Sequence, residues 1–185
     1  MRAHFAMCGD LDYKVGERLE KLFLAGAETR FPLTKRVTVD GVDLLVDGVY
    51  TPYDFRYLDD PILCYNIQVD SFVAVVFDVK SRASFDFAKR LTDIYLMGFS
   101  GNVFPIIAIG ITESEREEGR EVSTSEASGY FLNLSRPVQY FETNPRTGQG
   151  ANQAFIGGLR AWLQVYGSLC PRRIPLGQAP VIVLP

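Results

Sequence analysis

Residues 71–79 read S-F-V-A-V-V-F-D-V, and residues 103–110 read V-F-P-I-I-A-I-G. Nearly continuous apolar runs of strand length are what a β-strand needs when both its faces are covered. That is the situation of a central strand in a parallel sheet. Between the two runs, 84–97 carries the spacing of an amphipathic helix, with Ser81 or Ser84 placed to cap its first turn. Strand, helix and strand in this order make one right-handed crossover unit.

The same alternation extends in both directions. Ala3 to Cys8 reads as a buried first strand closed by Gly9, and 15–24 as a helix whose Leu19, Leu22 and Phe23 share a face. Residues 35–39 and 42–49 flank Asp40-Gly41, a dipeptide that tolerates positive φ and predicts a tight antiparallel hairpin. Toward the other end, Ser123 and Glu126 have capping-box spacing at the head of a helix over 123–132. A short strand over 138–142 and a closing helix over 152–165 follow. The pattern predicts an α/β fold: a three-layer α/β sandwich with an about six-stranded, mostly parallel sheet and one antiparallel strand. Residues 1–166 are expected to form the domain, and 167–185, with four prolines, a C-terminal tail.

Composition narrows the function classes. At 22% charged and 47% hydrophobic the chain can bury a core without a disulfide or metal staple. Nineteen basic against 22 acidic residues leave no bulk attraction for nucleic acid or an anionic membrane. Three cysteines, Cys8, Cys64 and Cys170, form no C-x-x-C pair, which argues against a zinc or dithiol site; Cys8 and Cys64, among apolar neighbours, read as buried thiols in a reducing compartment. The single histidine, His4, excludes any mechanism that needs two and reads as structural. No run approaches a membrane span, and no signal peptide or prenylation box is evident, so the expected location is cytoplasmic.

In a parallel sheet, ligands sit beyond the carboxyl ends of the strands, so the residues after each strand carry the information. After the first strand comes G-D-L-D-Y-K-V-G-E-R-L, from Gly9 to Leu19. A phosphate loop would read G-x-x-x-x-G-K-[ST], its amides and lysine neutralising phosphate and its hydroxyl holding magnesium. Here six residues separate Gly9 from Gly16, and Glu17 and Arg18 take the lysine and hydroxyl positions. Enforcing the standard spacing from Gly9 instead sets Lys14, Val15 and Gly16 at the Gly, Lys and Ser/Thr positions. Neither alignment restores the motif.

The chain nevertheless resembles the small GTPases of the Ras superfamily over residues 3–165. V-T-V-D-G-V-D-L-L-V-D (37–47) resembles that family's second and third strands leading to D-x-x-G, and F-D-V-K-S-R-A-S-F its fourth strand and following helix start. R-E-V-S-T-S-E-A-S-G-Y-F (120–131) and Y-F-E-T-N-P-R-T-G-Q-G-A-N-Q-A-F (140–155) extend the likeness, the second resembling the E-T-S-A loop and final helix. The resemblance implies the P-loop NTPase fold. It also exposes departures at the nucleotide-contacting residues. Asp47 keeps the D-x-x-G aspartate, but Tyr50 takes the glycine position. N-K-x-D becomes Ile111-Thr112-Glu113-Ser114, so Ser114 replaces the base-reading carboxylate. E-T-S-A becomes Glu142-Thr143-Asn144-Pro145, and Pro145 has no amide to offer a base. Thr29 is the nearest match to the magnesium threonine, and nothing after Asp54 and Arg56 replaces a water-positioning glutamine.

What the resemblance implies is therefore a catalytically inactive Ras-like pseudo-GTPase with weak or no GTP binding, acting as a protein-interaction or scaffolding module. It is similar in kind to the pseudo-GTPase domains within large Rho GTPase-activating proteins, whose first strand can also end in M-C-G-D, here Met7 to Asp10. No cofactor is expected on this reading. A protein partner would meet the switch-like stretches 29–34 and 50–65, with Tyr50, Tyr53, Phe55, Arg56 and Tyr57 as candidate contacts. The alternative is a divergent small GTPase that binds GTP or GDP with Mg and hydrolyses GTP slowly as a signalling or trafficking switch, using Lys14 or Arg18 on phosphate. A third reading makes the chain one domain of a longer polypeptide.

Overall fold

A computed structural model describes residues 1–10, 13–25, 34–52, 71–97, 105–112 and 119–169 of the chain. In chain order its elements are β1 (Arg2–Gly9), α1 (Tyr13–Phe23), β2 (Thr34–Val39), β3 (Val42–Pro52), β4 (Ser71–Asp78), α2 (Arg82–Met97), β5 (Ile106–Ile111), α3 (Thr124–Leu132), β6 (Gln139–Thr143) and α4 (Ala151–Leu169). The six strands form one sheet in the order β2-β3-β1-β4-β5-β6. Only β2 against β3 is antiparallel; the other four neighbouring pairs are parallel. The expected α/β fold, with a mostly parallel six-stranded sheet and one antiparallel pair, is what the described residues form.

β4 explains why its sequence is continuously apolar. Phe72, Ala74 and Val76 face one side of the sheet, where Leu19 and Phe23 of α1 and Phe155, Leu159 and Trp162 of α4 cover them. Val73, Val75 and Phe77 face the other side, beneath Phe85, Ala88 and Leu91 of α2 and Phe131 of α3. A period of two with both faces covered leaves no polar position between Phe72 and Phe77. On the first face the ring of Phe5 lies between Phe23, Phe72 and Phe155, with centroids 5.7 to 6.0 Å away. Such tilted and offset pairs add to the burial of the rings themselves.

Asp40 and Gly41 adopt φ of 48° and 80°, the left-handed pair that a two-residue hairpin needs to match the twist of its strands. Ser123 caps α3 by accepting from the amide of Glu126 at 3.1 Å, while the Glu126 carboxylate is engaged by the guanidinium of Arg82. Ser81 caps α2, accepting from the amide of Ser84 at 3.2 Å.

Some boundaries differ from those read in the sequence. β3 does not stop at Val49 but runs to Pro52. Within it Gly48 is a packing residue, since a Cβ there would overlap the ring of Phe5. β5 starts at Ile106, because Pro105 has no N–H for the ladder; its carbonyl still accepts from Val73. α4 continues to Leu169, three residues into the stretch read as tail. No helix among the described residues is long and apolar enough to cross a membrane.

Candidate functional site

β1 lies between β3 and β4, so the chain leaves it toward one side and returns on the other. The crevice at the carboxyl end of such a strand is the usual ligand position in an open α/β sheet. The described residues at that end of the sheet are Gly9 and Asp10 at the end of β1, the first turn of α1, Asp78 to Ser84 from the end of β4, Ile111 and Thr112 at the end of β5, and Thr143 to Pro145 at the end of β6.

The connection from β1 to α1 consists of residues 10–12. α1 is already helical at Tyr13, so Lys14, Gly16, Glu17 and Arg18 all lie within it. Only the first four amides of a helix are free of its own ladder, and Glu17 is its fifth residue. The Glu17 carboxylate points along the helix and pairs with Lys21 one turn on, at 2.9 Å. Lys14 and Arg18 are exposed, and Gly16 is buried. At Gly9 a side chain would overlap the carbonyl of Val76, so this glycine permits the close approach of β1 and β4.

Several polar groups of the crevice are engaged with one another. The Ser84 hydroxyl, almost completely buried, accepts from the amide of Asp78 and donates to the carbonyl of Asp10, both at 3.0 Å. Burial pushes the Asp10 carboxyl above the ordinary aspartate range. Asp78 accepts from the amide of Lys80 at 2.9 Å and so shapes its own turn. Thr112 donates its amide to the carbonyl of Thr143 at 2.9 Å. Asn144 and Pro145 are buried, and Asn144 Oδ1 accepts from the amides of Arg146 and Thr147, an Asx turn that leads into α4. The Thr143 hydroxyl is buried and finds no hydrogen-bond partner among the described residues. Ile111 ends β5 directly opposite Thr143.

Beside this crevice a compact polar cluster ties β6 to the loop before α3. Glu142 accepts from the guanidinium of Arg120, from Thr124 at 2.7 Å and from Tyr140 at 2.9 Å. Arg120 also donates Nε to the carbonyl of Val122 at 2.7 Å. Burial works to raise the Glu142 carboxyl, but these three donors outweigh it and hold the group below its ordinary range. Burial, reinforced by the neighbouring carboxylate of Glu142, drives the Tyr140 hydroxyl far above its ordinary value.

Asp47 stands elsewhere. It lies in the middle of β3, level with His4 on β1 and five residues short of the strand end. Its nearly buried carboxylate pairs with His4 Nδ1 and lies 3.7 Å from Arg2 Nε. Tyr50 falls opposite Met7 in the same ladder. Thr29, Tyr53, Asp54, Phe55, Arg56, Tyr57 and Ser114 lie outside the described residues. Sequence reasoning took Ser84 for a cap and gave Asp10, Arg120 and Glu142 no part in a network, because no local pattern reports a contact between strand ends. Among the described residues no group of three or more His, Cys, Asp or Glu side chains is placed to hold a metal ion. Neither the protein-family models nor the curated proteins compared with this chain match it.

Proposed function

We propose that the chain is a Ras-like pseudo-GTPase: a small-GTPase-like domain that does not hydrolyse GTP and acts in the cytoplasm by binding protein partners. The observation that carries this reading is the shortness of the first connection. Three residues join β1 to α1, and the carbonyl that opens them is held by Ser84. A standard phosphate loop sets four residues between its two glycines, and a helix that begins at Tyr13 leaves only three residues after β1 for that cradle. The self-satisfied Asx turn at Asn144 supports the same conclusion for the base-reading side. The antiparallel β2–β3 hairpin beside a parallel sheet supports the likeness to the fold of that family. The partner-binding surface is assigned by that likeness to residues 29–34 and 50–65.

The test is direct. Protein purified without added nucleotide is denatured and the supernatant chromatographed; no guanine nucleotide is expected. Titration with Mg·GTP should then leave thermal stability unchanged, whereas a ligand at 100 times its Kd adds about 2.7 kcal/mol. Stoichiometric GDP or GTP, or a stabilisation of that size, would establish instead a divergent small GTPase that binds nucleotide.

A further inference from the structure

Ala3, Phe5, Val37, Val39, Leu44 and Val46 turn to the face of the sheet packed by α1 and α4, so the residues alternating with them on β1, β2 and β3 turn to the opposite face. There the register aligns one row across three strands. Leu45 of β3 stands opposite Arg2 of β1 on one side and opposite Arg36 of β2 on the other. Leu45 is half-buried, and both arginines are exposed. A depression of about 410 Å³ opens along this row, with Arg36, Asp43 and Leu45 in its lining.

The acidic groups of this face already have partners. Asp47, in the next row, is nearly buried against His4 Nδ1, and its other oxygen lies 3.7 Å from Arg2 Nε, too far for a hydrogen bond. Asp43 accepts from the hydroxyl of Thr38 at 2.6 Å. Arg36 pairs with no carboxylate among the described residues. Two exposed guanidinium groups therefore flank one apolar side chain. Each grips a carboxylate with two parallel N–H donors and keeps its charge at any working pH. Neighbouring strands lie ~4.8 Å apart, so Arg2 and Arg36 start ~10 Å from each other with Leu45 midway. In a helix, residues three or four apart are ~5–6 Å from each other, and seven residues rise ~10.5 Å. The row thus has the spacing of a helix face with carboxylates at i and i+7 and an apolar side chain between them. A polyphosphate matches less well: Asp43 and Asp47 flank the row, the net charge is −3, and Leu45 offers phosphate nothing. We infer that Arg2, Leu45 and Arg36 form a docking site for an acidic amphipathic helix of a partner protein. The inference rests on the reading of the chain as a partner-binding module and adds a surface apart from residues 29–34 and 50–65.

The test is a titration of the isotopically labelled full chain with a synthetic alanine-based helix that carries glutamates at i and i+7 and a leucine between them, followed by amide shifts. Amides of Arg2, Arg36 and Leu45 should shift and saturate. Arg2→Gln with Arg36→Gln should weaken binding about tenfold. Arg36→Gln alone should weaken it while leaving Tm unchanged. Replacing both glutamates of the peptide by glutamine should abolish the shifts. No saturating shift, shifts confined to other elements, or equal binding of the glutamine peptide would overturn the inference. So would equal shifts with inorganic phosphate, since the row would then be a simple anion site. Guanine nucleotide released from the purified protein would overturn the pseudo-GTPase reading and leave these shifts unmoved, so the two failures are distinct.

Discussion

The hydroxyl of Ser84, at the start of α2, donates to the carbonyl of Asp10, 74 residues earlier, at 3.0 Å. This one side chain closes the gap between the carboxyl ends of β1 and β4. Ser84→Ala leaves the part-buried Asp10 carbonyl and the Asp78 amide without this partner. The expected loss is about 2 kcal/mol, or a fall in Tm of roughly 4 to 8 °C. Thermal denaturation checks it, and added Mg·GTP should not restore the loss.

Asp10 gives stability an unusual pH dependence. Burial raises its carboxyl above the ordinary value of 3.8, so the unfolded chain releases this proton first. The folded state then binds more protons through that window, and the contribution of Asp10 falls as pH rises. Asp10→Asn should therefore be more stable than the native chain near neutral pH, with the difference closing as pH falls toward the ordinary aspartate value. Urea midpoints across that range measure it.

Arg120 and Glu142 behave in the opposite sense. The folded Glu142 carboxyl is held below 4.5, so its contribution is present above that value and lost as pH falls through the depressed one. Arg120→Ala strands a partly buried carboxylate. It should cost about 3 kcal/mol at neutral pH, the low end for breaking a buried pair, and much less once Glu142 is protonated. Chemical denaturation at neutral and acid pH separates the two.

Gly48 faces the ring of Phe5 with no room for a Cβ. Gly48→Ala should destabilise by about 1 to 3 kcal/mol through overpacking. Adding Phe5→Leu should recover part of that loss, and a double-mutant cycle reads the coupling.

Glu17 sits in the second turn of α1 and pairs with Lys21. Restoring the residue types of a phosphate loop by Glu17→Lys with Arg18→Ser should yield no heat of Mg·GTP binding in calorimetry. The new lysine would also face Lys21 one turn away, costing a few tenths of a kcal/mol of helix stability.

Much of the fold was legible in short windows. The apolar run of β4, the Asp40-Gly41 turn and the Ser123 cap each depend on residues within a few positions of one another, and each formed where the pattern placed it. The candidate site was legible only as a set of loop positions. Gly48 shows why: nothing beside it in the sequence reports the ring of Phe5 on the neighbouring strand, which leaves no room there for a Cβ.

What the sequence determined by itself was the class of structure. Local propensity and hydrophobic period act over a few residues and need no knowledge of what lies across the sheet. What only the tertiary structure decided was which polar groups meet. The hydroxyl of Ser84 on the carbonyl of Asp10, the carboxylate of Glu142 under Arg120, and Asp47 beside His4 join groups separated by 74, 22 and 43 positions. Such contacts exist only once strand order and register bring the chain segments together, because a hydrogen bond reads distance in space and is indifferent to distance along the chain.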